Sequence, residues 1–266
     1  MPPQVDFISS PLDAAGMTAQ RIVSLAPSAT AILTAIGVGH AIVGATAHCD
    51  SDAPTIGGWL TPDRARLAAA DPSVIFTADA LQADLAADLT EDGYQVCHVE
   101  PTTLDGVFRS FRTVGAAVDE QAAAEALIEV ERARVAAVRT AVDGREPPVV
   151  YAEEWGRPPM AAGNWVPEAI AAAGGRYPFV APGDRSTRVD AETVEAVDPD
   201  LVVLHHCGAG ERTDPAVFRD RSWDVDAPVQ VIHDYLLNQP SPRLIDGIVR
   251  LAKLCHPEVT VAAPVA

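Results

Sequence analysis

The chain has 266 residues, 48% of them hydrophobic, with a formal net charge of −18, and every basic residue except Lys253 is an arginine. That length and composition allow a sizeable core, in one large domain or in two lobes of roughly 100–130 residues each. The acidic, lysine-poor balance excludes nucleic acid and anionic membrane as partners, since both demand positive charge, and it suits a halophilic source, where salt screens charge repulsion.

Residues 1–20, MPPQVDFISSPLDAAGMTAQ, carry no basic n-region and no apolar h-region, and no cysteine near the start could hold a lipid. They are expected to be loosely ordered, and on the chain as it stands a cytoplasmic location is expected. RIVSLAPS (21–28) reads as a strand entering a helix that Ser28 caps and Gly37 ends. AIVGAT (41–46) is the next strand. TPDRARLAAADP (61–72) is a helix, with Thr61 as N-cap and Pro62 in the first turn. SVIFTA (73–78) is a strand, 80–92 a helix and QVCHVE (95–100) a strand. From Asp119 to about Val142 there is no Gly or Pro, and Leu127, Val130 and Val138 with intervening alanines form a helical stripe. Roughly 24 residues at 1.5 Å each predict a helix of about 36 Å.

Beyond it the α/β rhythm restarts. PVVYAEEW (148–155) is a strand, WVPEAIAAAGG (165–175) a helix, DAETVEAVDPD (190–200) a helix, LVVLHH (201–206) a strand and VQVIHD (229–234) a strand. SPRLIDGIVRLAKLCHPE (241–258) closes the chain as a helix. DRARLAAADPSVIFTAD (63–79) aligns without a gap on DAETVEAVDPDLVVLHH (190–206), so the halves repeat each other. The predicted fold is α/β: two Rossmann-like lobes with parallel sheets joined by one long helix. Its parts are an N-terminal lobe over 21–116, a linking helix over 117–143 and a C-terminal lobe over 144–266. No run reaches the length of a membrane span, and a monomer is expected.

Ligands of parallel α/β lobes meet the carboxyl ends of the strands. Those ends carry Ser28, His48-Cys49-Asp50 and Asp79 in the first half, and Glu153-Glu154-Trp155, His205-His206-Cys207 and His233-Asp234-Tyr235 in the second. Imidazole and thiolate are natural ligands of zinc, cobalt, nickel or iron. His48, Cys49, His206, Cys207 and His233 are therefore the candidate metal ligands. Adjacent strand residues point to opposite faces, which favours His206 with Cys207 over His205 as the cleft-facing pair. Trp59, Trp155, Trp165 and Tyr235 fall at loops or strand ends and suit a large flat ligand. The four cysteines form no CxxC pair; Cys97 and Cys255 read as buried. No phosphate loop, nucleophile elbow or HExxH is present. Glu153 or Glu154 could act as base in a metal-dependent enzyme, the rival reading from another class.

RIVSLAPSATAILTAIG, GGW, AAADPSVIFTA, VDPDLVVL, SPR and the mid-chain helix together resemble the helical-backbone metal receptor superfamily, the class III binding proteins of ABC importers for cobalamin, ferric siderophores and haem. AHCD, EEWGRPPMAAGNWVPEAIAAAGG and the closing helix are most similar to its cobalamin-binding, leaderless branch. The resemblance implies two lobes on a rigid strut, with a corrinoid bound between them and no catalytic cofactor. Trp59 is placed like the family's corrin-contacting tryptophan, and Trp155 and Tyr235 occupy comparable loops. Haem or a ferric siderophore is the alternative ligand; for an anionic chelate the nearby arginines are Arg157, Arg185 and Arg188. Family members dock on a permease through one acid per lobe. Glu192 matches the second of these, whereas the repeat places Ala65 at the first, with Asp63 the nearest acid in front of it.

Overall fold

A computed structural model describes residues 20–261. The first half is built from β1 (Ile22–Ser24), α1 (Pro27–Ala35), β2 (Ile42–Ala45), α2 (Arg64–Ala70), β3 (Val74–Ala78), α3 (Ala83–Glu91) and β4 (Val96–Val99). Its four strands form one parallel sheet in the order β2-β1-β3-β4. Two helices follow, α4 (Leu104–Ala117) and α5 (Gln121–Val142). The second half contains β5 (Val150–Gly156), β6 (Pro159–Ala161), α6 (Val166–Ala172), β7 (Thr187–Arg188), α7 (Ala191–Glu195), β8 (Leu201–Leu204), α8 (Ala216–Arg219), β9 (Val229–Val231), α9 (Tyr235–Asn238) and α10 (Pro242–Cys255). Its sheet runs β7-β6-β5-β8-β9.

The two-lobed α/β class is as the sequence predicts, with one amendment: the second sheet is mixed. β5, β8 and β9 are parallel, but β6 turns back antiparallel on β5 and β7 runs antiparallel to β6. β6 and β7 are too short to show an apolar run. The long helix starts later than predicted, because the chain breaks at Asp119 (φ 58) between α4 and α5. α4 is an addition to the predicted elements, although its pattern is legible. Thr103 caps it by accepting from the Gly106 amide, and Leu104, Val107, Phe108 and Phe111, at most 5% exposed, form an i, i+3, i+4, i+7 stripe. Each such side chain contributes roughly 1.5–3 kcal/mol of burial.

Two assigned caps also move. α1 begins at Pro27, so Ser28 lies inside the first turn and caps nothing. Asp63, not Thr61, caps α2, its Oδ1 accepting from the amides of Ala65 (2.9 Å) and Arg66 (3.1 Å). A carboxylate accepts two amides more readily than a hydroxyl two residues upstream.

Each sheet has an outer and an inner face. The outer face of the first packs Val23, Leu25, Ile56, Leu67, Ile75 and Leu89 together. The outer face of the second packs Tyr151, Val202, Leu204 and Phe218 with Phe179 and Trp223. The inner faces share one apolar cluster that runs from β1 and α1 through α4, α5 and α6 to α10. The linking helix is thus embedded: Ala124, Ile128, Val135, Val138 and Val142 are all buried. Among the described residues no helix is long and apolar enough to cross a membrane.

Candidate functional site

Parallel pairing aims the carboxyl ends of β1 and β3 at the same side of the first lobe, and those of β5, β8 and β9 at one side of the second. Contacts across the gap bring the two sides face to face. Arg243 in the first turn of α10 pairs with Asp50 of the loop after β2. Arg185 lies 3.6 Å from Glu100, and Glu168 of α6 accepts from the Leu104 amide at the start of α4 (2.5 Å). The negative charge of Asp79, at the end of β3, adds to the upward pKa shifts of Glu154 and Cys207 in the other lobe. A cleft therefore lies between the strand ends, with these pairs at its margins.

On the first wall, Trp59 is half-buried and its loop is pinned by a residue that sequence reasoning missed. The buried Gln82 amide donates to the carbonyls of Trp59 (2.7 Å) and Leu25 (3.0 Å) and accepts from the Ala78 amide (2.7 Å). One side chain thus ties the tryptophan loop to the ends of β1 and β3. Leu60 and Leu81, 47% and 66% exposed, flank the same junction. Ser28 is 4% exposed in the first turn of α1. His48 is exposed, but Cys49 turns inward, its Sγ 3.3 Å from Thr46 Oγ1 and 3.5 Å from the Ser24 carbonyl.

On the second wall, register explains which residues reach the cleft. Glu153 pairs with Ala161 and Trp155 with Met160, so Glu154 is an extra residue in the strand. Such a bulge re-aims the side chains after it, and Trp155 emerges 45% exposed, its Nε1 donating to the Arg157 carbonyl at 2.9 Å. Glu154 is half-buried; burial raises its carboxyl, against a hydrogen bond from Ser186. Asp234 accepts from the amides of Gly208 (2.7 Å) and Gly210 (3.1 Å). Both glycines have positive φ (75° and 60°), so the turn after β8 needs them. Tyr235 stacks on His233 with centroids 3.7 Å apart, and the Arg243 guanidinium lies 4.8 Å from the Tyr235 centroid.

The histidine assignments need correction. His206 does not face the cleft: its Nε2 is 2.8 Å from Glu153 Oε1, inside the lobe. Glu153 itself is fully buried. It is held by Arg221 through both oxygens (2.5 and 2.8 Å) and by the Tyr151 hydroxyl (2.7 Å). Burial alone would raise its carboxyl, but the hydrogen bonds from His206, Arg221 and Tyr151 outweigh it and hold it below the usual carboxylate range. A carboxylate so committed is a structural anchor and no free base. His205, on the opposite side of the strand, is fully buried against Asn238. Trp165 is core as well, 5% exposed with Nε1 donating to the Leu237 carbonyl (2.7 Å). Its place after a loop suggests a ligand contact, but α6 buries it.

Cys207 is exposed, and its thiol is pushed up by partial burial and by the charges of Asp234 and Glu154. Among the described residues, no three His, Cys, Asp or Glu side chains are placed to hold a metal ion. The proposed ligand set of His48, Cys49, His206, Cys207 and His233 is therefore not assembled: Cys49 and His206 are turned inward, and His233 is paired with Asp234 and stacked on Tyr235. Of the arginines considered, Arg185 is on the margin, whereas Arg157 and Arg188 line a separate groove of about 760 Å³ with Asp190, Asp214 and Asp220. Glu192 is exposed in the first turn of α7, while Asp63 is occupied as a helix cap.

Two lobes on a buried helical layer, facing each other across an aromatic-lipped cleft, have the architecture of a two-lobed binding protein. The profile of the family described as periplasmic binding protein matches residues 22–223, and the chain belongs to that family. It is 26% identical over 258 residues to the cobalamin-binding protein of Halobacterium salinarum, covering 89% of this chain and 69% of that one. Among solved structures it resembles the periplasmic heme-binding protein RhuT from Roseiflexus sp. RS-1 (TM-score 0.78, 21% identity, 90% of this chain and 98% of that one). It also resembles the periplasmic vitamin B12 binding protein BtuF of Vibrio cholerae (TM-score 0.72, 20% identity, 88% and 96%).

Proposed function

We propose that this chain binds a corrinoid, with cobalamin the favoured member, in the cleft between its lobes, and does no chemistry on it. The observation that carries the reading is the pair of indoles offered from opposite walls. Trp59 is held by Gln82 at the ends of β1 and β3, and Trp155 is thrust out by the bulge at Glu154. Flat aromatic faces give wide contact at low entropic cost, which suits a macrocycle. The similarity to the cobalamin-binding protein of Halobacterium salinarum supports the corrinoid class. Commitment of Glu153 to Arg221 argues against the metal-enzyme reading.

Haem is the second reading, favoured by the solved heme-binding relatives. Permease docking is a weaker part of the proposal: Glu192 is available, but its counterpart in the internal repeat is Ala65. Calorimetry with cobalamin and with haem tests the reading. One cobalamin per chain is expected, with quenched tryptophan fluorescence, and Trp59→Ala should weaken it by roughly 1–3 kcal/mol, as for loss of an aromatic anchor. Heat with haem and none with any corrinoid would replace the first reading by the second.

A further inference from the structure

Arg243 stands apart from the other arginines near the cleft. Arg221 is committed to the buried Glu153, and Arg185, 76% exposed, lies loosely 3.6 Å from Glu100 on the margin. Arg243 is laid over the Tyr235 ring, 4.8 Å from its centroid, while Tyr235 is backed by His233. Its carboxylate partner is Asp50, which belongs to the other lobe and is 78% exposed, against 31% for the arginine side chain. The guanidinium is thus held by aromatic support, and its charge is answered by one solvent-washed carboxylate reaching across the mouth.

We propose that Arg243 reads an anionic group on the ligand, the phosphodiester of a corrinoid's nucleotide tail, and that Asp50 is its internal stand-in, bridging the mouth until phosphate displaces it. The inference rests on the corrinoid reading above. The peripheral side chains of the corrin ring end in neutral amides, so the phosphodiester is the one anionic group such a ligand brings. Seating that anionic group in the cleft of a chain whose net charge is −18 calls for a cation beside it. Arginine presents a planar fork that two phosphate oxygens match as well as two carboxylate oxygens do. An exposed ion pair is weak and salt-sensitive. Asp50 is therefore a partner that a better-desolvated phosphate can replace, unlike the buried Glu153 on Arg221.

The test compares cyanocobalamin with cobinamide, the same corrin lacking the phosphodiester and base, by calorimetry on the wild type, Arg243→Gln, Arg243→Lys and Asp50→Asn. The wild type should prefer cobalamin by roughly tenfold, the scale of one charge-assisted hydrogen-bond pair. Arg243→Gln should shrink that preference to within about threefold without weakening cobinamide, because the bridge is gone as well. Arg243→Lys, charged but without the fork, should fall between. Asp50→Asn should bind cobalamin more tightly, by roughly threefold to tenfold, and widen the preference, because cobinamide brings no phosphate to displace Asp50. Raising salt should erode the preference of the wild type and leave that of Arg243→Gln flat. Thermal melts establish that each variant is folded. A wild-type ratio in Arg243→Gln, or weaker binding of both ligands by Asp50→Asn, overturns this inference and leaves the corrinoid reading standing. Failure of the wild type to bind either corrinoid overturns both.

Discussion

His205 should make the fold acid-sensitive in a window set by its burial. The ring is fully buried, its Nδ1 is 2.5 Å from Asn238 Oδ1, and its Nε2 has no partner among the described residues. Donating from Nδ1 leaves Nε2 bare, so a second proton would sit on a buried nitrogen with nothing to receive it. Burial pushes the pKa down from 6.5 to about 4, against the opposing help of Asn238, Asp234 and Glu153. As pH falls through 6.5 the unfolded chain takes up the proton and the folded chain does not. The contribution to stability is complete above pH 6.5 and drains away toward pH 4. The drop from 6.5 to about 4 corresponds to about 3.5 kcal/mol. Urea unfolding of the wild type and His205→Gln at several pH values between about 7.5 and 4.5 reads it out; the glutamine amide can still donate to Asn238. The wild type should lose about 2–3 kcal/mol more than the variant over that range. Parallel pH curves would refute the reasoning, since the variant lacks the titrating group.

Glu153→Gln should destabilise the protein by about 3–5 kcal/mol, because it strands the Arg221 guanidinium in a buried site; thermal or urea melts check this, and Glu153→Gln with Arg221→Met should recover much of the loss. At mildly alkaline pH a maleimide should modify Cys207, which is exposed, and spare Cys97 and Cys255, whose thiols burial pushes up to about 11. Mass spectrometry of the labelled peptides should show Cys207 protected by corrinoid; labelling unchanged by ligand would place it off the binding surface.

The sequence discloses which strands exist more readily than which way their ends face. Apolar runs such as SVIFTA and LVVL, each following Asp-Pro, announce buried parallel strands because both faces are covered. The strand ends alone single out Trp155 and Cys207, which the structure leaves exposed. They mislead at His206 because the alternation of faces says that two neighbours diverge, not which side is the cleft. The answer lies with Arg221, about 70 residues beyond Glu153 in the chain and without a local pattern to mark it. Gln82 escapes for a similar reason: a lone glutamine in a helical stretch looks solvated, and only tertiary contact turns its amide into the clamp on Trp59. The bulge at Glu154 is hidden as well, since it exists only relative to the register of β6. The α4 stripe, by contrast, is legible in Phe108 and Phe111; Gly106 and Gly115 within it mask a helix that the glycine-free stretch after Asp119 makes plain for α5.

The apolar layer that runs unbroken from β1 to α10 has a consequence for how the chain is made and lost. Neither half owns a complete interior. A polypeptide ending near Asp119 would present the apolar stripe of α4 to water, including Phe108 and Phe111, and a polypeptide beginning there would present the matching sides of α5, α6 and α10. On the ribosome the first lobe must therefore wait, with sticky helices uncovered, until α10 emerges at the far end of the sequence. Heat should melt the chain in one step, and a nick between α4 and α5 should leave two fragments that stay together and come apart only by unfolding.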